Sequence, residues 1–432
     1  MQQEGPPPCA EELTAWLRLG HTDGIGPVRA RALLQRLGPP QDIFDAGPGP
    51  VADILQSKEM AQALFRLDPV REAAIAHARH WLQGSRAGED WTGCTVPRGI
   101  LLLHHPAYPR RLLDLADPPL LLYCVGDPAW LSRLQLGIVG SRNATALGAR
   151  TAWEFGAALA AAGCTVVSGM AEGIDRYAHE GALAAQGGST VAVLGTGIDR
   201  IYPSRHRSLA QRVAARGALI SEQPIGMPPL QANFPRRNRL IAALASGILV
   251  VEANLRSGSL ITARLAAELG REVLAVPGSI HSPLARGCNS LIRQGAKLVE
   301  SAEDVLVEIP AVARLGLRSA PGTGRSAPGS APGPQQLQPA PAADPAADAE
   351  ADQNLNRQSG RRRPGGPADV DLSDEQVRML RAMSADPVML ETVAARHGLA
   401  LCSALAALQI LELDGLVQRQ LDGSYVRCPS SD

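Results

Sequence analysis

Short apolar runs alternate with glycine-rich turns and Ala/Leu-rich helical stretches through the middle of the chain, from residue 99 to residue 310. The runs predict seven strands, at residues 136–139, 165–168, 190–194, 218–221, 247–252, 272–276 and 297–299. Because these runs are continuously apolar apart from a few residues, mostly at their ends, and do not alternate with polar positions, both faces of the sheet are expected to be covered by helices, which is typical of parallel sheets. The predicted fold class is therefore α/β, with a Rossmann-like, doubly wound and mostly parallel sheet.

A helical pattern precedes the sheet region. Within residues 1–95, apolar positions recur at helical spacing over 11–19 and 28–37, on either side of Gly24-Ile25-Gly26. This arrangement predicts a small helical domain of the SAM or helix-hairpin-helix type. Two interpretations of the glycine turn stay open, a helix N-terminus that holds a DNA backbone phosphate and a plain tight turn.

The composition changes again after the sheet region. Residues 311–370 are rich in Ala, Pro, Gly and Ser and cannot bury enough apolar surface to fold, so they predict a disordered linker. In residues 371–432, a capping-box pattern at Ser373 and Gln376, three helical stretches and an Asp422-Gly423 turn predict a winged helix. Its segment 400–414 contains no Lys or Arg, so we expect a protein-interaction or accessory role for this module.

Overall charge and cysteine content exclude several classes of function. Lys+Arg and Asp+Glu both total 42, so the chain is not a wholly basic nucleic-acid binder. Lys58 and Lys297 are its only lysines, and the always-charged, forked arginines that remain suit phosphate binding better than proton transfer. The seven cysteines show no CxxC spacing, so we expect no metal, no cofactor and no disulfide framework. No apolar run reaches the ~20 residues of a membrane span, so we expect a cytoplasmic protein without a membrane partner.

Four of the predicted strands are followed by the same kind of turn. It consists of glycines and small hydroxyl residues and leads into a helix or a further turn. The turns contain Gly140-Ser141, Ser168-Gly169, Gly195-Thr196-Gly197 and Ser257-Gly258. In a parallel sheet these turns meet at the carboxyl edge, where backbone N–H groups and helix N-termini bind anions. Together the turns predict a site for a phosphate-bearing ligand.

A basic segment at residues 233–239 lies on the same predicted domain. It contains Asn233, Phe234, Arg236, Arg237, Asn238 and Arg239. Arginines and asparagines suit phosphates and base edges, and Phe234 offers a face on which a base can stack. The alternative interpretation is a helix start held by structural salt bridges.

Catalytic candidates are few. Asp175 and His179 are four residues apart, which permits a carboxylate–imidazole pair on one helix face, and Glu252 ends a predicted strand at the sheet edge. No nucleophile elbow, second paired carboxylate or metal spacing accompanies them. We therefore favour structural roles for Asp175 and His179 and expect no enzyme. The alternative is a nucleotide-hydrolysing enzyme of the nucleoside monophosphate ribohydrolase type, whose glutamate after a glycine-rich loop is missing from residues 260–263.

A set of motifs between residues 101 and 307 resembles the DNA-processing protein A (DprA/Smf) family. The motifs are Gly140-Ser141-Arg142, the run from Ser168 to Asp175 with Ala178-His179, the run from Ala192 to Gly197 with Tyr202-Pro203, Phe234 to Arg239, Val251-Glu252-Ala253, the run from Ser257 to Ala263, Val276-Pro277-Gly278 and Gly287-Cys288-Asn289. The resemblance implies a non-enzymatic homodimer that binds and protects single-stranded DNA and loads the RecA recombinase during natural transformation.

The resemblance and the residue patterns together give the predicted DNA-binding set. Its members are Gly140, Ser141, Arg142, Ser168, Gly169, Asn233, Phe234, Arg236, Arg237, Asn238, Arg239, Ser257, Gly258 and Thr262. The chain departs from the family pattern at two points. Glu172 stands where a basic or polar residue is frequent, which is expected to weaken phosphate affinity locally, and the linker is unusually long.

Overall fold

The computed structural model describes residues 9–66, 68–84 and 96–309, together with isolated positions between 388 and 427. The chain divides into two compact units, Met1–Ser319 and Ala320–Asp432. The predicted linker at 311–370 and most of the predicted winged helix lie outside the described residues.

Six helices form the N-terminal part of the first unit. They are α1 (Ala10–Gly20), α2 (Pro27–Leu37), α3 (Pro40–Ala46), α4 (Pro48–Leu55), α5 (Lys58–Phe65) and α6 (Pro69–Leu82). Proline or a short polar side chain starts most of them; Ser57 Oγ, for example, accepts from the amide of Met60 at 3.2 Å. The helical domain predicted at the N-terminus is thereby confirmed, and its glycine turn contains Gly24 at φ +79° and a buried Ile25.

A nine-stranded sheet forms the rest of the unit. Its strands are β1 (Arg98–Leu102), β2 (Leu121–Gly126), β3 (Gln135–Val139), β4 (Thr165–Ser168), β5 (Ser189–Val193), β6 (Ala218–Ser221), β7 (Gly247–Val250), β8 (Glu272–Ala275) and β9 (Lys297–Leu298). The order across the sheet is β1-β2-β6-β5-β4-β3-β7-β8-β9. All neighbours from β6 to β9 pair in parallel, so the predicted mostly parallel sheet is confirmed.

Sequence periodicity missed β1 and β2, which pair antiparallel with each other and extend the sheet beyond β6. The N-terminal helices share one apolar core with them. Trp81 of α6 meets Tyr123 of β2 edge to face at 5.9 Å between ring centroids, and His21 Nε2 lies 3.2 Å from the Tyr123 hydroxyl. These contacts make β2 a fully buried strand and attach the helical domain to the sheet.

Helices cover both faces of the parallel strands. They are α7 (Ala146–Ala161), α8 (Ile174–Ala184), α9 (Arg207–Arg216), α10 (Asn233–Leu244), α11 (Gly258–Glu268), α12 (Arg286–Arg293) and α13 (Ala302–Glu308). Apolar clusters lie between these helices and the two faces of the sheet. Strand order reverses between β3 and β7, so the crevice at their carboxyl ends is the place where such sheets bind ligands.

The described part of the second unit contains an antiparallel strand pair, β10 (Val417–Arg419) and β11 (Tyr425–Arg427). Val388 bridges to Tyr425, and Leu408 and Leu411 are buried. The pair flanks the predicted Asp422-Gly423 turn, which lies outside the described residues. None of the helices described for either unit is long and apolar enough to cross a membrane.

Candidate functional site

The turns after β3, β4, β5 and β7 converge at the carboxyl edge of the sheet. The amide of Ser141 donates to the Glu252 carbonyl at 2.7 Å, and the amide of Ile174 donates to the Ser141 carbonyl at 3.1 Å. Gly173 has a φ of +70°, and a Cβ there would overlap the carbonyl of Ser141. The turn after β3 is therefore in direct contact with the segments that follow β4 and β7, and Gly173 permits this close contact.

The floor of this surface is made by buried polar groups. Ser168 Oγ donates to the Ile138 carbonyl at 2.6 Å, and Arg237 Nη1 donates to the Val193 carbonyl at 2.5 Å. Arg237 is 3% exposed, and its guanidinium packs directly against Gly169. Burial lowers the pKa of Arg237 to about 10, although the Asp175 carboxylate opposes that change. Ser168 and Arg237 thus support the site from below.

An exposed stack stands above this floor. The Arg142 guanidinium carbon lies 5.4 Å from the centroid of the Phe234 ring, and the Tyr202 ring lies 5.7 Å away from that centroid. Gly195 gives this ring room, because a Cβ there would approach Phe234 Cδ1 to 2.9 Å. Arg142 and Arg236 are both exposed to solvent. One solvent-exposed guanidinium group therefore contacts a partly exposed aromatic pair, and a second exposed arginine, Arg236, follows Phe234 two residues later on α10.

The helical period of α10 decides which residues of the basic segment face inward. Asn233 and Arg237, one turn apart, are buried, whereas Arg236 points to solvent. Arg239 pairs with Glu222 and lies 3.5 Å from Asp117 Oδ2. The structural salt bridge considered for this segment is therefore present at Arg239.

The remaining predicted residues lie near the start of α11 and at its contact with α10. Asn238 Nδ2 lies 3.4 Å from the Gly258 carbonyl, and Ser257 Oγ lies 2.7 Å from Ser259 Oγ. Gly258 is exposed in the first turn of α11, while Thr262 is 1% exposed one turn further. The accessible edge of this helix is thus formed by Ser257 and Gly258.

The catalytic candidates have structural partners. Asp175 accepts from the amide of Gly169 at 3.1 Å, and His179 Nδ1 lies 2.7 Å from Thr190 Oγ1, so the two residues have separate partners. Glu252 accepts from Thr145 Oγ1 at 2.5 Å and from its amide at 2.9 Å, next to the N-terminus of α7. No group of three metal-binding side chains occurs in the part of the chain that the structure describes.

Two residues were left out of the predicted DNA-binding set: Tyr202, a member of the stack that appeared in the sequence only as part of a motif, and Arg205, three residues further on. Tyr202 is 43% exposed and is one of only five tyrosines in the chain. Its position shortly after the glycine turn at residues 195–197 was the signal that could have placed it at the site. Arg205 pairs with Glu172, the residue at which the chain departs from the family pattern. Glu172 is also 3.7 Å from His206 Nε2. The unusual carboxylate is therefore partnered within this loop cluster.

Comparisons with known proteins agree with the fold and the motifs. Residues 99–310 match a family model described as DNA recombination-mediator protein A, and residues 363–423 match the DprA winged helix domain. Protein Smf of Escherichia coli is 50% identical over 200 residues, which cover 46% of this chain but only 53% of that relative. Protein Smf of Synechocystis is 35% identical over 332 residues, covering 74% of this chain and 78% of the relative.

A solved structure gives the same result. The X-ray structure of DNA processing protein A from Streptococcus pneumoniae aligns with a TM-score of 0.58 and 32% identity, over 70% of this chain and 98% of that one. The match to the DprA winged helix domain confirms the module predicted at the C-terminus. Family model, relatives and fold agree, and the chain belongs to the DprA/Smf family of DNA processing proteins.

Proposed function

We propose that the protein is a recombination mediator that binds single-stranded DNA at the carboxyl edge of its sheet. The observation that carries this proposal is the exposed stack of Arg142, Phe234 and Tyr202, with Arg236 close by in sequence on α10. Aromatic faces bind unpaired bases, which a duplex keeps stacked inside, and free guanidinium groups bind the phosphates between them.

The roles follow from exposure. Arg142 and Arg236 contact phosphates, Phe234 and Tyr202 stack on bases, and the exposed backbone at Ser257 and Gly258 accepts a phosphate at the N-terminus of α11. The buried residues Ser168, Asn233, Arg237 and Thr262 position these groups. Because no base-edge readout is required, binding is expected to be independent of sequence.

The partners that we propose are RecA and a second copy of this chain. A protein that holds single strands by stacking and phosphate contacts keeps them unpaired, which is the form that a recombinase requires. The family model's description as a recombination mediator supports this role. Light scattering with and without a short oligonucleotide tests the homodimer, and RecA-dependent strand exchange on strands coated with single-strand binding protein tests loading.

Fluorescence anisotropy with labelled dT20 and a matched 20-bp duplex tests DNA binding. We expect tight, salt-sensitive binding of the single strand over the duplex. Arg142→Ala/Arg236→Ala should weaken it at least about ten-fold, because each lost charge-assisted contact costs more than about 1 kcal/mol. Arg212→Ala, a change at an exposed arginine of α9, is the matched control and should bind as the wild type does.

The same preparation tests the enzyme alternative. Glu252 accepts two hydrogen bonds from Thr145, the N-cap residue of α7, and Asp175 is buried, so we propose that neither acts on a substrate. Equal weak binding by the wild type and the double variant, combined with turnover of nucleoside monophosphates, would replace the DNA-binding proposal by the hydrolase.

A further inference from the structure

A cleft on the N-terminal helical domain is lined by four arginines, and none of them belongs to the site described above. The cleft has a volume of about 280 Å³ and lies between α1 and α6, along α6 from its N-cap Asp68 to Arg79 in its last turn. Arg18 comes from α1, Arg71 and Arg79 come from α6, and Arg66 directly follows α5.

Arg71 is the buried member of this group, with 6% of its surface exposed. Its guanidinium donates to Thr22 Oγ1 at 2.8 Å, to the Ala63 carbonyl at 3.0 Å and to the Arg66 carbonyl, which are all neutral oxygens. It forms no ion pair within 4.0 Å with any carboxylate of the described residues. A buried cation that is held by dipoles alone stabilises an anion placed beside it.

Arg18 adds a second positive charge at close range. Its guanidinium carbon stacks over the Phe44 ring, 4.3 Å from the centroid. Burial and the charge of Arg71 lower the pKa of Arg18, and Glu72 acts in the opposite direction. Two guanidinium groups that repel each other in this way are stabilised by an anion that contacts both.

The acidic residues of the cleft do not cancel this charge. Asp68 caps α6, since its Oδ1 accepts from the amide of Val70 at 3.0 Å, and Glu72 is exposed. Within the lining of this cleft, four arginines and these two carboxylates give an excess of two positive charges. The adjoining cleft shares Arg18 and Arg79 but adds Glu11 and Asp45, so positive charge is concentrated in the first one.

We propose that this cleft is a second anion site and that it binds a phosphate group. A phosphate monoester carries about −1.5 to −2 charges at neutral pH and each DNA backbone phosphate carries one, so one monoester or two neighbouring backbone phosphates match the excess positive charge of the cleft. Forked guanidinium groups bind its oxygens in pairs, and the N-terminus of the 14-residue α6 adds a favourable dipole. The phosphate comes either from a free nucleotide or from a DNA backbone.

Isothermal titration calorimetry with sodium pyrophosphate tests the site in the full-length protein. The ionic strength is held constant with sodium chloride. The Arg142→Ala/Arg236→Ala protein serves as background, so that binding at the sheet edge does not contribute. In that background we expect one pyrophosphate per chain. Adding Arg18→Gln/Arg79→Gln should weaken binding at least about ten-fold, whereas adding Arg36→Gln, on the exposed side of α2, should not.

Competition identifies the source of the phosphate. Displacement of pyrophosphate by dT20 assigns a DNA backbone, and displacement by ADP alone assigns a nucleotide. Unchanged affinity in Arg18→Gln/Arg79→Gln, or no heat beyond that of sodium chloride, would overturn the proposal. Circular dichroism must show that each variant is folded. Loss of this site leaves dT20 binding at the sheet edge, so the two proposals fail independently.

Discussion

Asp175 and Arg237 hold the same backbone residue, Gly169, from two sides. Asp175 Oδ2 accepts from the Gly169 amide at 3.1 Å, and the Arg237 guanidinium packs where a Cβ of that residue would lie. Burial raises the pKa of Asp175, and the charge of Arg237 opposes this increase. The turn after β4, which we expect to contact phosphate, therefore depends on a buried pair of opposite charges beneath it.

Replacing Gly169 by alanine tests this arrangement. The new methyl group would overlap the guanidinium of Arg237, which is buried and donates to the Val193 carbonyl, so moving it aside would break that hydrogen bond. We expect the free energy of unfolding to fall by about 1–3 kcal/mol, the usual cost of overpacking a core. Urea unfolding measures it. Gly49→Ala in α4, where a Cβ meets nothing within 4 Å, is the matched control and should be neutral or stabilising.

Much of this fold could be predicted because its strands are buried on both faces. The run at 165–168 and the run at 218–221 coincide with β4 and β6, since a central parallel strand is apolar throughout and glycine ends it. Strand β2 is also an apolar run that ends in glycine, from Leu121 to Gly126, and the sequence prediction missed it; no local pattern indicates its antiparallel pairing. Its burial depends on Trp81 and other residues of the helical domain that are distant in sequence.

The sequence predicted which arginines lie in the candidate site but not which of their side chains face solvent. Spacing placed Arg236, Arg237 and Arg239 together, but only the helical phase of α10 against the sheet separates the exposed residue from the two partnered ones. The sequence contains no local signal that Glu222 is buried beside Arg239. The boundaries of the linker and the DNA contacts of individual residues stay predictions.

The ion pair of Arg239 and Glu222 gives a second prediction. The two side chains are 14% and 12% exposed, and burial raises the pKa of Glu222 while Arg239 opposes that change. Arg239→Met should destabilise the protein by about 3–5 kcal/mol, because it leaves a buried carboxylate unpaired. Arg239→Met/Glu222→Leu should recover a large part of the loss in urea unfolding. If the double variant regained none of the lost free energy of unfolding, Arg239 would stabilise the protein by contacts other than the one with Glu222.

His179 gives the fold a defined response to pH. Thr190 Oγ1 donates to the Val166 carbonyl at 2.7 Å, so His179 Nδ1 must donate to Thr190 and its Nε2 is the unprotonated nitrogen. That buried Nε2 has no hydrogen-bond partner among the described residues. Burial, followed by the charges of His206 and Arg237, lowers the pKa of His179 to about 3.

The sign of the pH effect follows from this lowered pKa. Below pH 6.5, the pKa of His179 in the unfolded chain, the unfolded chain binds a proton at this residue and the folded protein does not. The free energy of unfolding therefore decreases as the pH falls from 6.5 towards 3. At pH 5 the loss from this residue should reach about 2 kcal/mol. Urea midpoints at pH 7.5 and 5.0 measure it. His179→Gln should flatten the dependence, whereas His77→Gln, on the exposed side of α6, should not.

Phe234 and Arg236 should affect DNA binding in two separable ways. Arg236 is exposed and neutralises a phosphate, so Arg236→Ala should reduce the slope of log K against log salt by about 0.7, the value for one contact on a single strand. Phe234 contacts both Arg142 and Tyr202 through its ring and carries no charge. Phe234→Leu should therefore weaken binding of dT20 by about 1–3 kcal/mol at every salt concentration and leave the slope unchanged.

Anisotropy titrations at four salt concentrations separate the two effects. Tyr202→Leu should resemble Phe234→Leu with a smaller loss, because its ring is the second face of the pair. Arg212→Ala controls for the removal of an exposed arginine that lies on another helix. If Phe234→Leu changed the slope as Arg236→Ala does, the ring would be acting by holding Arg142 in place and not by stacking on a base. An unchanged affinity would remove Phe234 from the interface, and the DNA path would then follow the arginines alone.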